Sequence, residues 1–377
     1  MDAFYASVEE RENPGLVGLP LIVGGATNSR GVVAAANYAA RKFGIRSAMP
    51  VTQALARCKH LTCLPVNMPL YVNVSRQIHE IFYRYTPEIE PLSLDEAFLN
   101  VAASQKLFGS ARDIALQIKK DIENELGLIA SAGVGPNKFI AKIASDIGKP
   151  NGFVVVQENE VQSFLDPLPV NRIWGVGNKT EQKLHQYGIF TIRDVREQSL
   201  TWLTNRFAKL GHHIYQLANG IDDRKVITDA KAKSISAEKT FNEDISERDS
   251  ILAVLSVLTE QVAARLREKR KYAKTVIVKI RFNDFDTITR SKSLSIHTNH
   301  TDNIWLFVKN IISKILNNKF KPVRLLGVGV SGLENDDMEQ GDLFSQTIRH
   351  SKLDAVTDKI NTKFGKLKVH RGRNAIK

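Results

Sequence analysis

The stretch Ser93-Leu94-Asp95-Glu96-Ala97 sets two adjacent carboxylates between short apolar runs, Ile89 to Leu92 before it and Ala97 to Val101 after it. Such flanks predict a strand end or a tight turn. Neighbouring acids repel, so a fold seldom buries them without a cation. The usual one is divalent: Mg²⁺ takes carboxylate oxygens together with substrate phosphates. An isolated Asp-Glu pair is more often a solvated turn, and what changes that weight is the sequence around it.

Working outward, residues 69–86 carry Leu70, Val74, Ile78, Ile81 and Tyr85 at helical spacing, and Pro87 stops the helix. Residues 109–126 predict a second amphipathic helix, with Ile114, Ala115, Ile118 and Ile122 on one face. Ile129 to Val134 reads as a strand, and Pro136 opens a helix from Asn137 to Ile147. Nearer the start, Leu19 to Val23 and Gly31 to Ala36 read as strands, and Ala39 to Phe43 and Pro50 to Cys58 as short helices. Interleaved strands and helices of this kind predict an α/β unit whose sheet is covered on one face.

Beyond residue 165 the pattern changes. Gly175-Val176-Gly177 leads into a predicted helix from Lys179 to Tyr187, followed by Gly188-Ile189 and Thr191-Ile192. This is a helix-hairpin-helix pattern. Its glycine turn exposes backbone N–H groups at a helix N-terminus, where Gly175, Gly177 and Lys179 can hold a DNA phosphate without reading sequence. Residues 229–333 then predict strand, helix, two strands, helix and strand, a βαββαβ order that closes as a four-stranded sheet with two helices on one face. They hold 19 Lys and Arg against 11 Asp and Glu.

The 377 residues allow several domains, and the net charge of +13 favours a polyanionic partner, nucleic acid first. No apolar run is long enough to span a membrane. The start, with Glu9 and Glu10, does not read as a secretory leader. Cys58 and Cys63 flank His60 without two further ligands at metal-site spacing, so they read as reduced thiols of a cytoplasmic protein.

Taken in order, Met1-Asp2-Ala3-Phe4-Tyr5-Ala6-Ser7, Ala35-Ala36-Asn37-Tyr38 with Arg41-Lys42-Phe43-Gly44, Ser93 to Ala97, Gly133-Val134-Gly135-Pro136-Asn137-Lys138 and Lys149-Pro150-Asn151-Gly152 resemble the motifs of the Y-family DNA polymerases, of the bacterial polymerase IV type. The resemblance covers nearly the whole chain. It implies a multidomain α/β and α+β right-hand polymerase. Palm and fingers would occupy 1–164, the fingers being about 10–68. A helix-hairpin-helix thumb would occupy 165–228, a βαββαβ little finger 229–333, and a tail 334–377. The small residues Val32 to Ala36 would lie under the templating base pair.

The implied activity is error-prone translesion synthesis, in which two Mg²⁺ ions assist transfer of a nucleotide from dNTP to a primer 3′-hydroxyl. Asp95 and Glu96 would be the catalytic metal ligands, Tyr5 the steric gate against ribose, and Tyr38, Arg41 and Lys149 the triphosphate holders. The implied partners are primer-template DNA and a sliding clamp, reached by a monomer through Gln340, Leu343 and Phe344 of Gln340-Gly341-Asp342-Leu343-Phe344.

The family's first motif reads Asp-Met-Asp-x-Phe-Tyr/Phe-Ala, and its first Asp is a metal ligand. This chain starts at the Met of that motif, so Asp2 matches the second Asp, a weaker candidate ligand. The expectation is a true start a few codons upstream. The alternative is a truncated, catalytically impaired paralogue that binds DNA and clamp. A helix-hairpin-helix nuclease using Asp95 and Glu96 is a further rival, and it leaves Tyr5, Tyr38 and Arg41 unexplained.

Overall fold

The computed structural model describes residues 1–27, 29–229, 231–318, 321–335, 347–365, 369, 371 and 372. It divides into two compact units, Met1–Ala230 and Lys231–Lys377.

In the first unit, strands β1 (Leu21–Gly24), β2 (Val33–Ala36) and β3 (Thr62–Pro65) form a sheet in the order β2-β1-β3. β1 runs antiparallel to β2 and parallel to β3. Ile22, Val33 and Ala36 bury against Ala40, Ile45, Val51 and Ala54 from the short helices that follow. β4 (Ile89–Pro91) and β5 (Ala97–Leu99) pair as an antiparallel hairpin, and the predicted carboxylate turn is its tip. β6 (Ala132–Val134) pairs in parallel with β7 (Phe153–Val155).

Two long helices lie behind these strands. Met68–Tyr85 ends just before Pro87, as predicted. Ala111–Leu126 starts with a capping box in which Ser110 and Asp113 satisfy each other's backbone N–H. Their apolar faces bring Tyr71, Val74, Ile78, Ile114, Ile118 and Ile122 into one core with Phe4 and Ile89. At about 1.5–3 kcal/mol per buried large side chain, this packing supplies most of the support for the hairpin.

The single covered sheet expected of this region is divided, among the described residues, into separate pairs. Strand pairing begins at Ala132 rather than Ile129 because the Ile129 carbonyl accepts the Asp2 N–H at 3.1 Å. A cavity of about 590 Å³ is lined by residues of both β5 and β6, with Ile114, Ile118 and Ile122 among its apolar walls.

Helix Lys138–Ile147 presses on β6. A Cβ on Gly133 would lie 2.2 Å from the Ala141 carbonyl oxygen and 2.3 Å from Ser145 N, so only glycine fits. The same helix contributes Phe139, Ile140 and Ile143 to a further core with Leu165, Ile173, Leu184, Ile192, Leu203 and Ile214 from the short helices of residues 161–218.

The second unit has the predicted βαββαβ order. Strands β8 (Ser234–Ile245), β9 (Lys271–Phe282), β10 (Thr287–Thr298) and β11 (Val323–Asn335) form an antiparallel sheet ordered β10-β9-β11-β8. Helices Arg248–Glu268 and Thr301–Asn318 share its core, which includes Leu255, Val262, Val276, Ile280, Ile304 and Val328. A last helix, Thr347–Phe364, is tied on by ions: Asp354, 1% exposed, meets Arg267 at 3.2 Å and Arg371 at 3.0 Å. Residues 340–344 lie outside the described residues.

No described helix is long and apolar enough to cross a membrane. Cys58 is buried and Cys63 half-buried, both free, and burial pushes the Cys63 thiol up.

Candidate active site

The tip of the β4–β5 hairpin is tightly held. Leu92 N–H and Ser93 N–H both donate to the Glu96 carbonyl, at 2.8 and 3.3 Å. Ser75, on helix Met68–Tyr85, donates to the Leu94 carbonyl at 2.5 Å, which fastens the tip to the core. The Ser93 hydroxyl donates to Asp95 Oδ1 at 2.8 Å and accepts the Asp95 N–H. Asp95 and Glu96 keep side-chain exposures of 25% and 33%, so both carboxylates reach solvent from a fixed backbone.

Glu96 faces lysines rather than acids. Lys142 Nζ donates to Glu96 Oε1 at 2.9 Å, and Lys149 Nζ lies 4.0 Å from the same oxygen. Asp146 completes the group, 3.2 Å from Lys142 and 2.8 Å from Lys149. Burial opposes the charge on Asp146, but the Lys149 hydrogen bond and both lysine charges outweigh it and hold its carboxyl below the usual range. Burial likewise opposes the charge on Lys149, and the Asp146 hydrogen bond and charge, with Glu96 and Asp2, outweigh it and raise that amine.

The opposite wall comes from the N-terminal helix and the small first sheet. Tyr5 sits in the first turn of helix Phe4–Glu12. Tyr38 and Arg41 ride on the one-turn helix Tyr38–Arg41, which Asn37 caps by accepting from Ala40 N–H. Asn37 is 4% exposed and also bonds Glu10, Leu19 and Leu21, so one amide fixes this turn against the helix and β1. The Arg41 guanidinium lies 4.6 Å above the Tyr38 ring and donates to the Ala36 carbonyl. The Tyr38 hydroxyl is buried and makes no well-formed hydrogen bond. Burial, then the Asp2 charge, pushes that phenol up, while Arg41 and Lys149 pull it down.

Tyr5, Ala34, Ala35, Tyr38, Arg41, Asp95, Glu96 and Lys149 thus line one cavity of about 300 Å³, although they come from segments up to 144 residues apart. Ala34 and Ala35 leave its floor open.

Asp2 is placed elsewhere. Ala3 takes a left-handed φ of 49°, so the chain turns straight into a helix and Asp2 is not on a strand. Its carboxylate is 3% exposed, accepts Ser131 Oγ at 2.9 and 2.8 Å, and accepts the Asn151 N–H at 2.7 Å. Among the described residues no three His, Cys, Asp or Glu side chains gather as a ready metal cage. The carboxylates that reach the cavity are those of Asp95 and Glu96.

Apart from this cavity, Gly175 takes a φ of 96° and Gly177 caps helix Asn178–Gln186 without a side-chain bond. A Cβ on Gly177 would meet nothing within 4 Å, so internal packing does not require a glycine there. Lys179 is exposed beside it.

The sequence reading assigned no role to Lys142, Asp146, Ser93 or Tyr71. The spacing of Lys142, Asp146 and Lys149, four and then three residues, was the available signal for the first two.

Family models match three parts of the chain. The impB/mucB/samB family matches residues 1–146, the C-terminal domain of that family matches 232–343, and its HHH motif matches 158–189. A curated DNA polymerase IV of Desulfatibacillum aliphaticivorans is 44% identical over 369 residues, 97% of this chain and 93% of that one. One from Clostridioides difficile (strain 630) is 48% identical over 337 residues, 89% of this chain and 92% of that one. Among solved structures, the "Y-family DNA polymerase chimera Dbh-Dpo4(243-245)-Dbh" superposes with a TM-score of 0.81 at 28% identity, over 89% of this chain and 97% of that one. An "Insertion ternary complex of Dbh DNA polymerase" gives 0.64 at 27%, with the same two shares.

Proposed function

The chain belongs to the Y-family DNA polymerases, of the DNA polymerase IV type, and on that premise we propose that the 300 Å³ cavity is where it joins a dNTP to a primer. It is a template-directed DNA polymerase of the translesion class. In the reaction the primer 3′-oxygen bonds the α-phosphorus of the dNTP, and pyrophosphate leaves.

The observation that carries the reading is the convergence of opposite chemistries on one space. Asp95 and Glu96 offer hard carboxylate oxygens on one side, where Lys149 stands beside Glu96, and Arg41 and the unsatisfied Tyr38 hydroxyl offer donors on the other. Carboxylates suit divalent cations, and the donors suit phosphate oxygens. Y-family polymerases use divalent metal ions. Asp95 and Glu96 fit that need, and we assign them two Mg²⁺. When bound, such ions supply Lewis-acid charge stabilisation and acidify the primer hydroxyl.

The chain's own residues do the rest. Arg41 forks onto phosphate oxygens while Lys149 adds a point charge, and Tyr38 donates its free hydroxyl. The Tyr5 ring fills the place a ribose 2′-hydroxyl would need. Lys142 holds Glu96 in line by donating to its Oε1. Gly175, Gly177 and Lys179 receive a backbone phosphate of primer-template DNA through open N–H groups. In this scheme palm and fingers occupy 1–164, thumb 165–228 and little finger 229–333. A monomer working in the cytoplasm docks on a sliding clamp through Gln340, Leu343 and Phe344.

Primer extension with dNTPs and Mg²⁺ tests the assignment. Asp95→Asn and Glu96→Gln should each lower the incorporation rate by a hundredfold or more while leaving the affinity for primer-template within about twofold. Undiminished incorporation in either variant would sink it.

A further inference from the structure

We infer that the far end of helix Asn178–Gln186 carries a second nucleic-acid site, one that stacks the unpaired bases of a single strand. The inference rests on the chain's handling of primer-template DNA, but not on the catalytic cavity.

The site is built from Lys183, Tyr187, Trp202, Arg206 and Phe207, and Phe190, whose ring lies 4.9 Å from that of His185, follows three residues after Tyr187. Tyr187 is 45% exposed and Phe190 54%, well beyond what aromatic rings in a settled core show. Tyr187 meets Trp202 edge-on at 5.2 Å and Phe207 at 6.4 Å, so three rings from two helices form one surface. Arg206 lies over it, 4.0 Å from the Trp202 centroid and 5.2 Å from that of Tyr187, and Lys183 sits 4.8 Å above Phe207.

Two features select the occupant. The first is charge. Among the described residues no ion pair involves Lys183 or Arg206; their polar hydrogen bonds go to the carbonyls of Arg206 and Trp202. Both cations are therefore set against rings with their charge unneutralised, which complements a polyanion. The second is shape. Each cation covers one face of its ring, and the aromatic surface left open, chiefly that of Tyr187, stacks on any base while the cations take the backbone, the combination that holds single strands without reading sequence. A duplex presents no base faces along its length and would gain only the charge contacts.

The surface is separate from the glycine turn. Gly177 and Tyr187 flank the opposite ends of a nine-residue helix, about 15 Å apart along its axis. One end of the helix would then hold duplex phosphate, and the other an unpaired stretch such as template still to be copied.

The test uses the full chain and three labelled probes: a sixteen-nucleotide oligothymidylate, a blunt duplex and an oligoglutamate peptide, each followed by fluorescence anisotropy. The double variant Tyr187→Ala/Phe190→Ala should weaken oligothymidylate binding at least tenfold and change duplex binding by less than twofold. Arg206→Ala should weaken it and reduce its salt dependence by about one ion. Unchanged oligothymidylate affinity, or equal loss on both nucleic acids, would overturn the inference. So would loss confined to the acidic peptide, which would make the patch a protein-docking surface.

A second measurement needs no variant. Photocrosslinking a bromodeoxyuridine oligonucleotide to the wild-type chain should label peptides holding Tyr187, Phe190 or Trp202, and labelling only elsewhere overturns it. Nucleotide incorporation on a template with a one-base overhang should be unaffected by the double variant. Failure here thus leaves the catalytic assignment standing, and failure of that assignment leaves this one.

Discussion

Tyr5 lies flat on Tyr71, with ring centroids 4.2 Å apart and planes 11° from parallel. Tyr71 is fully buried, and its hydroxyl donates to Glu9 at 2.5 Å. The ring proposed to exclude ribose is therefore backed by a second ring that cannot move without breaking a buried bond. The contact joins helix Phe4–Glu12 to helix Met68–Tyr85, so the position of the Tyr5 ring depends on how two helices pack.

Tyr5→Ala should admit ribonucleotides, raising the ratio of rNTP to dNTP incorporation by at least a hundredfold. Tyr71→Leu should raise it about tenfold, because the gate remains but loses its backing. Single-turnover incorporation of matched rNTP and dNTP measures both. A Tyr71 variant with parental selectivity would show that Tyr5 is held by its own helix alone.

Asp2 should behave as a structural acid. Asp2→Ala would leave the Ser131 hydroxyl and the Asn151 N–H without their buried acceptor, costing about 2–4 kcal/mol. The metal concentration giving half-maximal incorporation should stay within about twofold in the folded variant. Denaturant unfolding and a metal titration separate the two effects; a tenfold shift in the titration would make Asp2 a ligand after all.

The Asp146–Lys149 pair gives a pH signature. Asp146 has a lowered folded value, so its contribution to stability is present above the ordinary carboxylate range and is lost as pH falls through the lowered value. Lys149 has a raised folded value, so its contribution is complete below the ordinary lysine value and is lost as pH rises through the raised one. Lys149→Met should lower the melting temperature most at neutral pH, and the difference should shrink at both acid and strongly alkaline pH. The same variant should raise KM for dNTP about tenfold or more with little change in DNA affinity. A melting difference flat across pH would deny the pair its role.

In the second unit, Asp354→Ala should loosen the last helix. It would remove the carboxylate that Arg267 and Arg371 share, while Arg267 keeps Asp358 and Arg371 keeps Asp302 and Glu260, at a cost of about 1–3 kcal/mol. Hydrogen exchange over residues 352–364 should accelerate about tenfold, and the sheet should change little. Unaltered protection would mean that the helix is held by other contacts.

Much of this was legible in the sequence because it is local. Pro87 ends a helix wherever it stands, Ser110 and Asp113 make a capping box within four residues, and the βαββαβ order follows from runs whose period changes between two and 3.6. The carboxylate turn was legible for the same reason. What was hidden depends on distant pairing. Lys142 meets Glu96 across 46 residues, and Tyr71 meets Tyr5 across 66, and no spacing rule reaches that far. The burial of Asp2 on Ser131 and Asn151 was also hidden, because the left-handed turn at Ala3 carries no glycine to announce it. The shortened β6 follows from a hydrogen bond to the first residues of the chain, again a long-range event.

Gly133 has a larger consequence than its size suggests. With no room for even one carbon, main chain meets main chain there, and the strand-to-helix spacing is fixed by atoms that mutation cannot trim. Lys142 projects from that helix and Lys149 follows it directly, so their reach is calibrated by the peptide skeleton. Enlarging this one residue would detune the cationic wall without touching a charge.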